Sequence, residues 1–139
     1  MQEKVEILLA TYNGERYLRE QLDSILNQDY ENWIVRVCDD ASTDGSAEII
    51  REYEKKYPHI IKPIYQTENQ YSKQVGIFLT HILPRMTGQY IAICEGDDYW
   101  TDPHKLQLQV DFLDSHPEYT ACVHNTTLED MITGQQRLM

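Results

Sequence analysis

Residues 90–100 read YIAICEGDDYW, an apolar run that ends abruptly in three carboxylates. The run from Tyr90 to Cys94 predicts a buried strand, and ligands of open α/β sheets bind at the carboxyl ends of strands. Adjacent carboxylates repel each other unless a positive charge is supplied. Mg²⁺ or Mn²⁺ would supply it, because these ions commonly bridge carboxylates to phosphate. The stretch therefore predicts a metal site for a phosphorylated substrate, although an acidic pair alone is more typical of a solvated loop or a helix start.

Length and charge limit the classes of protein that fit. The chain has 139 residues, of which 41% are hydrophobic and 25% are charged, which describes one soluble globular domain. Its net charge of −11 argues against nucleic acid or an anionic membrane surface as a partner. Both partners require clustered Lys and Arg. An anionic substrate would therefore need the help of a metal.

The sequence shows no signal of membrane insertion or secretion. No apolar stretch is long enough to span a bilayer, and residues 1–4 lead into a short strand rather than into the apolar core of a signal peptide. Cys38, Cys94 and Cys122 lack CxxC spacing and fall within or at the ends of predicted strands. We therefore expect a cytoplasmic protein with reduced core cysteines.

Short apolar runs alternate with helical stripes along the chain. The runs predict strands at residues 5–10, 33–38, 60–65, 90–94 and 120–125. The stripes predict helices that carry Leu18, Leu22, Ile25 and Leu26; Ile49, Ile50, Tyr53 and Tyr57; Val75 to Ile82; and Leu106, Val110 and Leu113. Pro63 predicts an edge strand, and Asp102 with Pro103 predicts a helix start. This alternation predicts an α/β fold, a Rossmann-like, mostly parallel sheet flanked by helices on both sides.

Three polar loops follow predicted strands, at residues 11–15, 39–45 and 95–98. Because parallel strands end at one edge of a sheet, we expect these loops to meet there. Together with residues 69–76 and 88–91, they resemble the donor-binding motifs of the family 2 inverting glycosyltransferases, over nearly the whole chain. The resemblance implies the glycosyltransferase A fold, with residues 1–125 as a nucleotide-sugar-binding domain. Residues 126–139 would start an acceptor-side segment or form a tail, which leaves the fold incomplete at its C-terminus.

The resemblance assigns the first two loops to the nucleotide. It places four residues of the first loop around the base, namely Thr11, Tyr12, Asn13 and Glu15. In the second loop, Asp39 or Asp40 would accept a hydrogen bond from the imide N–H of uracil or an equivalent ring donor. Asp39 is the favoured acceptor, with Asp40 supporting the loop, but sequence does not separate them. The simpler interpretation is that both loops only turn the chain and cap the next helix.

The resemblance assigns the diphosphate to two further segments. Family members usually carry an Arg-Asn pair where this chain has Lys73-Gln74. Lys73 keeps a cation for the ribose or diphosphate without the fork of Arg, although a solvated lysine is nearly as good an interpretation. The family pattern Asp-x-Asp-Asp becomes Glu95-Gly96-Asp97-Asp98 here. Asp97 would contact the ribose hydroxyls or the metal, and Asp98 would bind Mg²⁺ or Mn²⁺ directly.

The implied reaction is inverting transfer of a sugar from a nucleoside-diphosphate sugar to a hydroxyl of a saccharide or lipid-linked acceptor. We expect it to serve surface polysaccharide synthesis at the inner face of a bacterial membrane, with peripheral association and no transmembrane segment. The catalytic base is unknown, because in this family it lies well downstream of the metal motif and is expected beyond residue 139. Glu129-Asp130 is only a weak candidate. A non-catalytic nucleotide-sugar-binding module, or an inactive truncated remnant, is therefore the alternative.

Overall fold

The computed structural model describes residues 4–73, 83–94, 98–129 and 133–138. The chain divides into two compact units, Met1–Gln107 and Leu108–Met139. The expected domain boundary after residue 125 stays a prediction. Within the described ranges, no helix combines the length and the apolar composition needed to cross a membrane.

The first unit is built on a four-stranded parallel sheet. Its strands are β1 (Val5–Thr11), β2 (Trp33–Asp39), β3 (Ile61–Tyr65) and β4 (Tyr90–Ile93), in the order β3-β2-β1-β4. Helix α1 (Glu15–Leu26) connects β1 to β2, and α2 (Ser46–Lys56) connects β2 to β3. β3 forms an edge of this sheet, which suits Pro63 because an edge strand leaves one side unpaired. The predicted Rossmann-like, mostly parallel sheet is confirmed.

The core follows the predicted apolar pattern. Leu18, Leu22 and Ile25 of α1 are fully buried, as is Ile50 of α2. β1 and β2 are buried along nearly their whole length, with Ile7 at 0% exposure, because both faces of these central strands are covered. Their carboxyl ends are thereby held in fixed register, which positions the loops that follow.

One buried carboxylate fastens the connection before β4 to the sheet. Glu6 of β1 is 0% exposed, and its Oε1 accepts hydrogen bonds from Nε and Nη2 of Arg36, at 2.9 and 2.8 Å. Its Oε2 accepts the backbone N–H groups of Thr87 and Gly88, both at 2.7 Å. This fully paired carboxylate ties β1, β2 and the approach to β4 together.

Two sequence expectations differ from the structure. β4 was expected to be buried, but Ile91 and Ile93 are 50% and 54% exposed, since β4 is an edge strand of the described sheet with one apolar face open. The fifth strand at residues 120–125 does not form, and Val123 is 92% exposed. The run, TACVHN, holds three apolar residues of six, fewer than the five of seven in each of β1 and β2. The helix expected at residues 75–82 lies outside the described residues.

The remaining elements are short. Helix α3 (Lys105–Ser115) begins two residues later than expected, after a turn in which Asp102 Oδ1 accepts the N–H of His104 at 2.8 Å. In the second unit, β5 (Thr127–Glu129) pairs with β6 (Gln136–Leu138) as an antiparallel ribbon.

Candidate functional site

The carboxyl ends of β1 and β2 bring two buried polar side chains side by side. Thr11 pairs in register with Asp39, so both side chains lie on the same face of the sheet. They are 4% and 3% exposed, yet Thr11 Oγ1 and Asp39 Oδ1 have no hydrogen-bond partner among the described residues. Buried polar atoms are nearly always paired. This pair therefore marks a position where an external donor would be favourable.

Asp40 is as buried as Asp39 but differs from it in its hydrogen bonds. Its Oδ1 and Oδ2 accept the backbone N–H groups of Gln70 and Tyr71, at 2.7 and 3.1 Å. Its carbonyl oxygen accepts Nδ2 of Asn69 at 3.0 Å, and its own N–H donates to the carbonyl of Thr11 at 2.9 Å. Both carboxylate oxygens are therefore used to fasten the loop after β3 to the end of β2.

The loops after β1 and β2 are joined by hydrogen bonds. The N–H of Asn13 donates to Ser42 Oγ at 2.9 Å, and Asn13 Oδ1 accepts the N–H of Thr43 at 2.8 Å. Asn13 and Ala41 adopt left-handed backbone conformations, with φ of 52° and 61°. Asn tolerates this conformation, whereas at Ala41 it costs about 1–2 kcal/mol, so the bonds of the adjoining Ser42 and Thr43 to Asn13 hold the loop in it. The side chain of Asn13 thus links the loops.

The helices α1 and α2 cap each other through the same loops. Asp44 Oδ2 accepts the N–H of Glu15 at the start of α1, at 3.2 Å, and Glu15 Oε2 accepts the N–H of Gly45 before α2, also at 3.2 Å. Burial raises the pKa of Asp44, but hydrogen bonds from Ser46 and from Glu15 outweigh burial and hold that pKa below its usual value. A Cβ at Gly45 would lie 2.5 Å from Glu15 Oε1. The carboxylate of Glu15 is therefore committed to the junction.

Cys38 lies next to these acids and is fully buried. Burial is the main cause that raises the pKa of its thiol to about 11, and the charges of Asp40 and Asp39 act in the same direction. The thiol is therefore neutral at physiological pH. It packs with Leu8 and Met86 instead of acting as a nucleophile.

Two residues predicted to bind the donor, Tyr12 and Lys73, are exposed at the surface. The ring of Tyr12 is 53% exposed beside the Thr11 position. The ammonium group of Lys73 pairs with Glu68, and this hydrogen bond lowers the pKa of the Glu68 carboxyl group. Gln74 lies outside the described residues.

The acidic loop is described at Asp98, which is exposed, whereas Glu95, Gly96 and Asp97 lie outside the described residues. Among the residues that are described, no group of three or more His, Cys, Asp or Glu side chains is arranged to hold a metal. Mg²⁺ and Mn²⁺ do not need such a cage when phosphates supply the other oxygens. The exposed carboxylate of Asp98 is a hard oxygen donor of the kind that these ions take, so the donor chemistry fits.

Polar side chains on α1 and just after its end hold the segment that follows β4. Ser24 Oγ accepts the N–H of Trp100 at 3.0 Å. Gln28 donates from Nε2 to the carbonyl of Asp102 at 2.8 Å and accepts the N–H of Leu106 at 3.0 Å. These residues are absent from the sequence-based predictions, which rest on the apolar stripe of α1. The available signal was a set of polar residues at positions 21, 24 and 28 on the buried side of that stripe.

Comparisons with known proteins cover nearly all of the chain. Residues 6–138 match the family model described as Glycosyl transferase family 2. The chain is 43% identical over 116 residues to a putative glycosyltransferase, EpsE, of Bacillus subtilis, covering 84% of this chain and 40% of that protein. It is 32% identical over 113 residues to the UDP-Glc:alpha-D-GlcNAc-diphosphoundecaprenol beta-1,3-glucosyltransferase WfaP of Escherichia coli, covering 81% of this chain and 42% of that protein. The chain thus spans less than half the length of these curated relatives.

Solved structures give the same result. The TarS 1-349 structure of S. aureus in complex with UDP superposes with a TM-score of 0.71 at 27% identity, covering 91% of this chain and 34% of that one. The mannosyltransferase PcManGT of Pyrobaculum calidifontis, in complex with GDP-Man and Mn²⁺, superposes with a TM-score of 0.69 at 28% identity. That match covers 81% of this chain and 33% of the mannosyltransferase.

Proposed function

The chain belongs to glycosyl transferase family 2, and from this premise we propose that it transfers a sugar from a nucleoside-diphosphate sugar to an acceptor hydroxyl with inversion. The observation that carries the proposal is the buried pair at the carboxyl ends of β1 and β2. Asp39 Oδ1 and Thr11 Oγ1 are shielded from water and lack protein partners among the described residues. A nucleobase with a ring N–H would supply the missing donor to the carboxylate.

The roles of the two adjacent acids follow from their contacts. Asp39 accepts the ring N–H of the base, because one of its oxygens is unused. Asp40 shapes the pocket indirectly, because both of its oxygens hold the backbone at Gln70 and Tyr71. Asn13 and Glu15 act in the same indirect way by joining the loops.

The surface residues complete the donor site. The ring of Tyr12 is half exposed, so its open face can pack against the base. When the donor binds, Lys73 leaves its exposed ion pair with Glu68 and contacts the ribose or the diphosphate. Exposed ion pairs contribute little to stability, so this exchange is inexpensive.

Asp98 and Asp97 would hold Mg²⁺ or Mn²⁺, a proposal supported by the donor chemistry of Asp98 and by the Mn²⁺ in the mannosyltransferase neighbour. When bound, the ion neutralises the diphosphate and stabilises it as a leaving group. Without such a cation, the acids at the strand ends would repel the phosphates of the donor.

In inverting transfer, the acceptor hydroxyl attacks the sugar from the side opposite the diphosphate, and the base that activates the hydroxyl must lie on that side. We place the reaction at the cytoplasmic face of a membrane, in surface polysaccharide synthesis, with a saccharide or lipid-linked acceptor, because WfaP is named for such an acceptor. A carboxylate must take the proton of the acceptor hydroxyl. Glu129 and Asp130 are the sequence candidates for this base. The side chain of Glu129 and all of Asp130 lie outside what the structure describes, so no distance supports either of them.

Calorimetric titration with UDP, GDP and dTDP, each with Mn²⁺ and with EDTA, tests the donor site. We expect micromolar-to-millimolar binding of one nucleotide that depends on Mn²⁺ and loses this dependence in Asp98→Ala. Glu118→Ala is the matched control, because it removes an exposed carboxylate from the second unit. Affinity that is the same with EDTA and with Mn²⁺ would contradict the proposal.

A turnover assay then separates an enzyme from a binding module. The chain is incubated with nucleotide-sugar donors and Mn²⁺, and released nucleoside diphosphate is measured with and without saccharide acceptors. Release above the rate of the Asp98→Ala variant supports the transferase. Metal-dependent binding with neither transfer nor donor hydrolysis would favour the binding module.

A further inference from the structure

We propose that Ser24, Gln21 and Cys94 are positioning residues for the metal-binding loop, acting through the backbone of residues 98–100. This inference rests on the proposed function, because it concerns the same Asp98. None of the three side chains would touch the metal or the donor. Their task is to fix the place at which the Asp98 carboxylate meets the cation.

One contact chain runs from the core of α1 to Asp98 itself. Gln21 and Cys94 are 0% and 1% exposed, and Gln21 Nε2 donates to Cys94 Sγ at 3.5 Å. The Cys94 thiol donates in turn to the backbone carbonyl of Asp98 at 3.7 Å. A buried helical side chain thereby sets the position of the Asp98 backbone through a single intervening residue.

A second contact holds the loop two residues further on. Ser24 Oγ accepts the N–H of Trp100 at 3.0 Å and donates its own proton to the carbonyl of Gln21 at 2.7 Å. The indole ring of Trp100 also lies under the ammonium group of Lys105, 4.4 Å from the ring centroid. The backbone is therefore held both at Asp98 and two residues after it, at Trp100.

The chemistry of the loop explains why such fixing matters. Hard divalent ions demand oxygen ligands at well-defined distances, and Mg²⁺ in particular tolerates little deviation from octahedral geometry. The side chain of Asp98 is exposed, so a cation and phosphates can reach its carboxylate. The bonds from Cys94 and Ser24 to the backbone of residues 98 and 100 fix the point from which that carboxylate projects.

The test compares Ser24→Ala with Ser24→Thr, which keeps the hydroxyl. Bound Mn²⁺ is measured by the electron paramagnetic resonance signal of free Mn²⁺ in the presence of UDP, and UDP affinity in EDTA is measured by calorimetry. Loss of one hydrogen bond is expected to weaken Mn²⁺ binding by about fivefold in Ser24→Ala. Ser24→Thr should retain the affinity of the unaltered chain, and UDP affinity in EDTA should be unchanged in both.

Ser115→Ala is the matched control, because Ser115 makes the same kind of bond to its own helix, from Oγ to the carbonyl of Asp111 at 2.8 Å. Cys94→Ala, set against Cys94→Ser, repeats the comparison for the other contact. Unchanged Mn²⁺ affinity in Ser24→Ala, or an equal loss of UDP affinity in EDTA, would overturn this inference alone. Absence of any Mn²⁺ dependence in the unaltered chain would overturn the proposed function, and this inference with it.

Discussion

Replacing Asp39 and Asp40 by asparagine, one at a time, should separate binding from stability. The two residues are adjacent, of one type and almost equally buried. Only their hydrogen bonds differ, because Asp39 Oδ1 has no partner among the described residues whereas both oxygens of Asp40 hold backbone N–H groups. Each variant is therefore the control for the other.

Asp39→Asn should weaken nucleotide binding without weakening the fold. A hydrogen bond to a charged group contributes about 2 kcal/mol, which corresponds to a roughly 30-fold loss of affinity. The amide also removes a charge from a buried oxygen that lacks a protein partner, so the free energy of unfolding should be unchanged or slightly higher. Calorimetry with the nucleotide and urea unfolding followed by circular dichroism give the two quantities.

Asp40→Asn, in contrast, should destabilise the fold. An asparagine oxygen can keep the bond to Gln70 or to Tyr71, but its NH₂ group then faces the N–H of the other. We expect the free energy of unfolding to fall by about 2–3 kcal/mol. If Asp39→Asn destabilises the chain by this amount, or if Asp40→Asn leaves stability intact while abolishing nucleotide binding, the assignment of the two acids is refuted.

Two further predictions concern stability. Glu6→Ala leaves the guanidinium of Arg36 and two backbone N–H groups without their acceptor in the core, so urea unfolding should show a loss of about 3–5 kcal/mol, and a loss below 1 kcal/mol would contradict the buried pairing. The hydrogen bond that His104 Nδ1 donates to the carboxylate of Asp29 is the main cause that raises the pKa of His104 above its ordinary value of 6.5. Protonated His104 is thus favoured in the folded state, so its stabilisation is complete below pH 6.5 and is lost as pH rises through the raised pKa. The melting temperature of the unaltered chain should exceed that of His104→Gln at pH 5.5 and converge with it at pH 8.5, and a pH-independent difference would refute this.

The parts of the fold that the sequence predicted are those with strong periodicity. The stripe of Leu18, Leu22 and Ile25 identified α1, and the apolar runs of β1 and β2 identified central strands, because burial on both faces leaves a continuous hydrophobic pattern. The run at residues 120–125, TACVHN, is less apolar and forms no strand. Strand formation also depends on side-chain packing against neighbouring strands, which local composition does not encode.

The sequence predicted where the candidate site lies but not which residue makes which contact. Parallel topology placed Thr11 and Asp39 at the same edge, and the structure pairs them in register. The contacts of Asp40 and Glu15 depend on partners about 30 residues away in sequence, for which no short motif exists. Ser24 bonds to Trp100 across 76 positions, so its place on α1 indicates a buried polar contact without indicating the partner.

The mutual capping of α1 and α2 has a practical consequence for altering nucleotide preference. Each loop supplies the groups that complete the other, so a segment transplanted from a relative into only one of them would arrive without its counterparts. Residues 12–15 and 42–46 should therefore be exchanged as a single cassette. Libraries that randomise either half alone would be dominated by chains with misaligned helix starts, whatever new base contacts they carry.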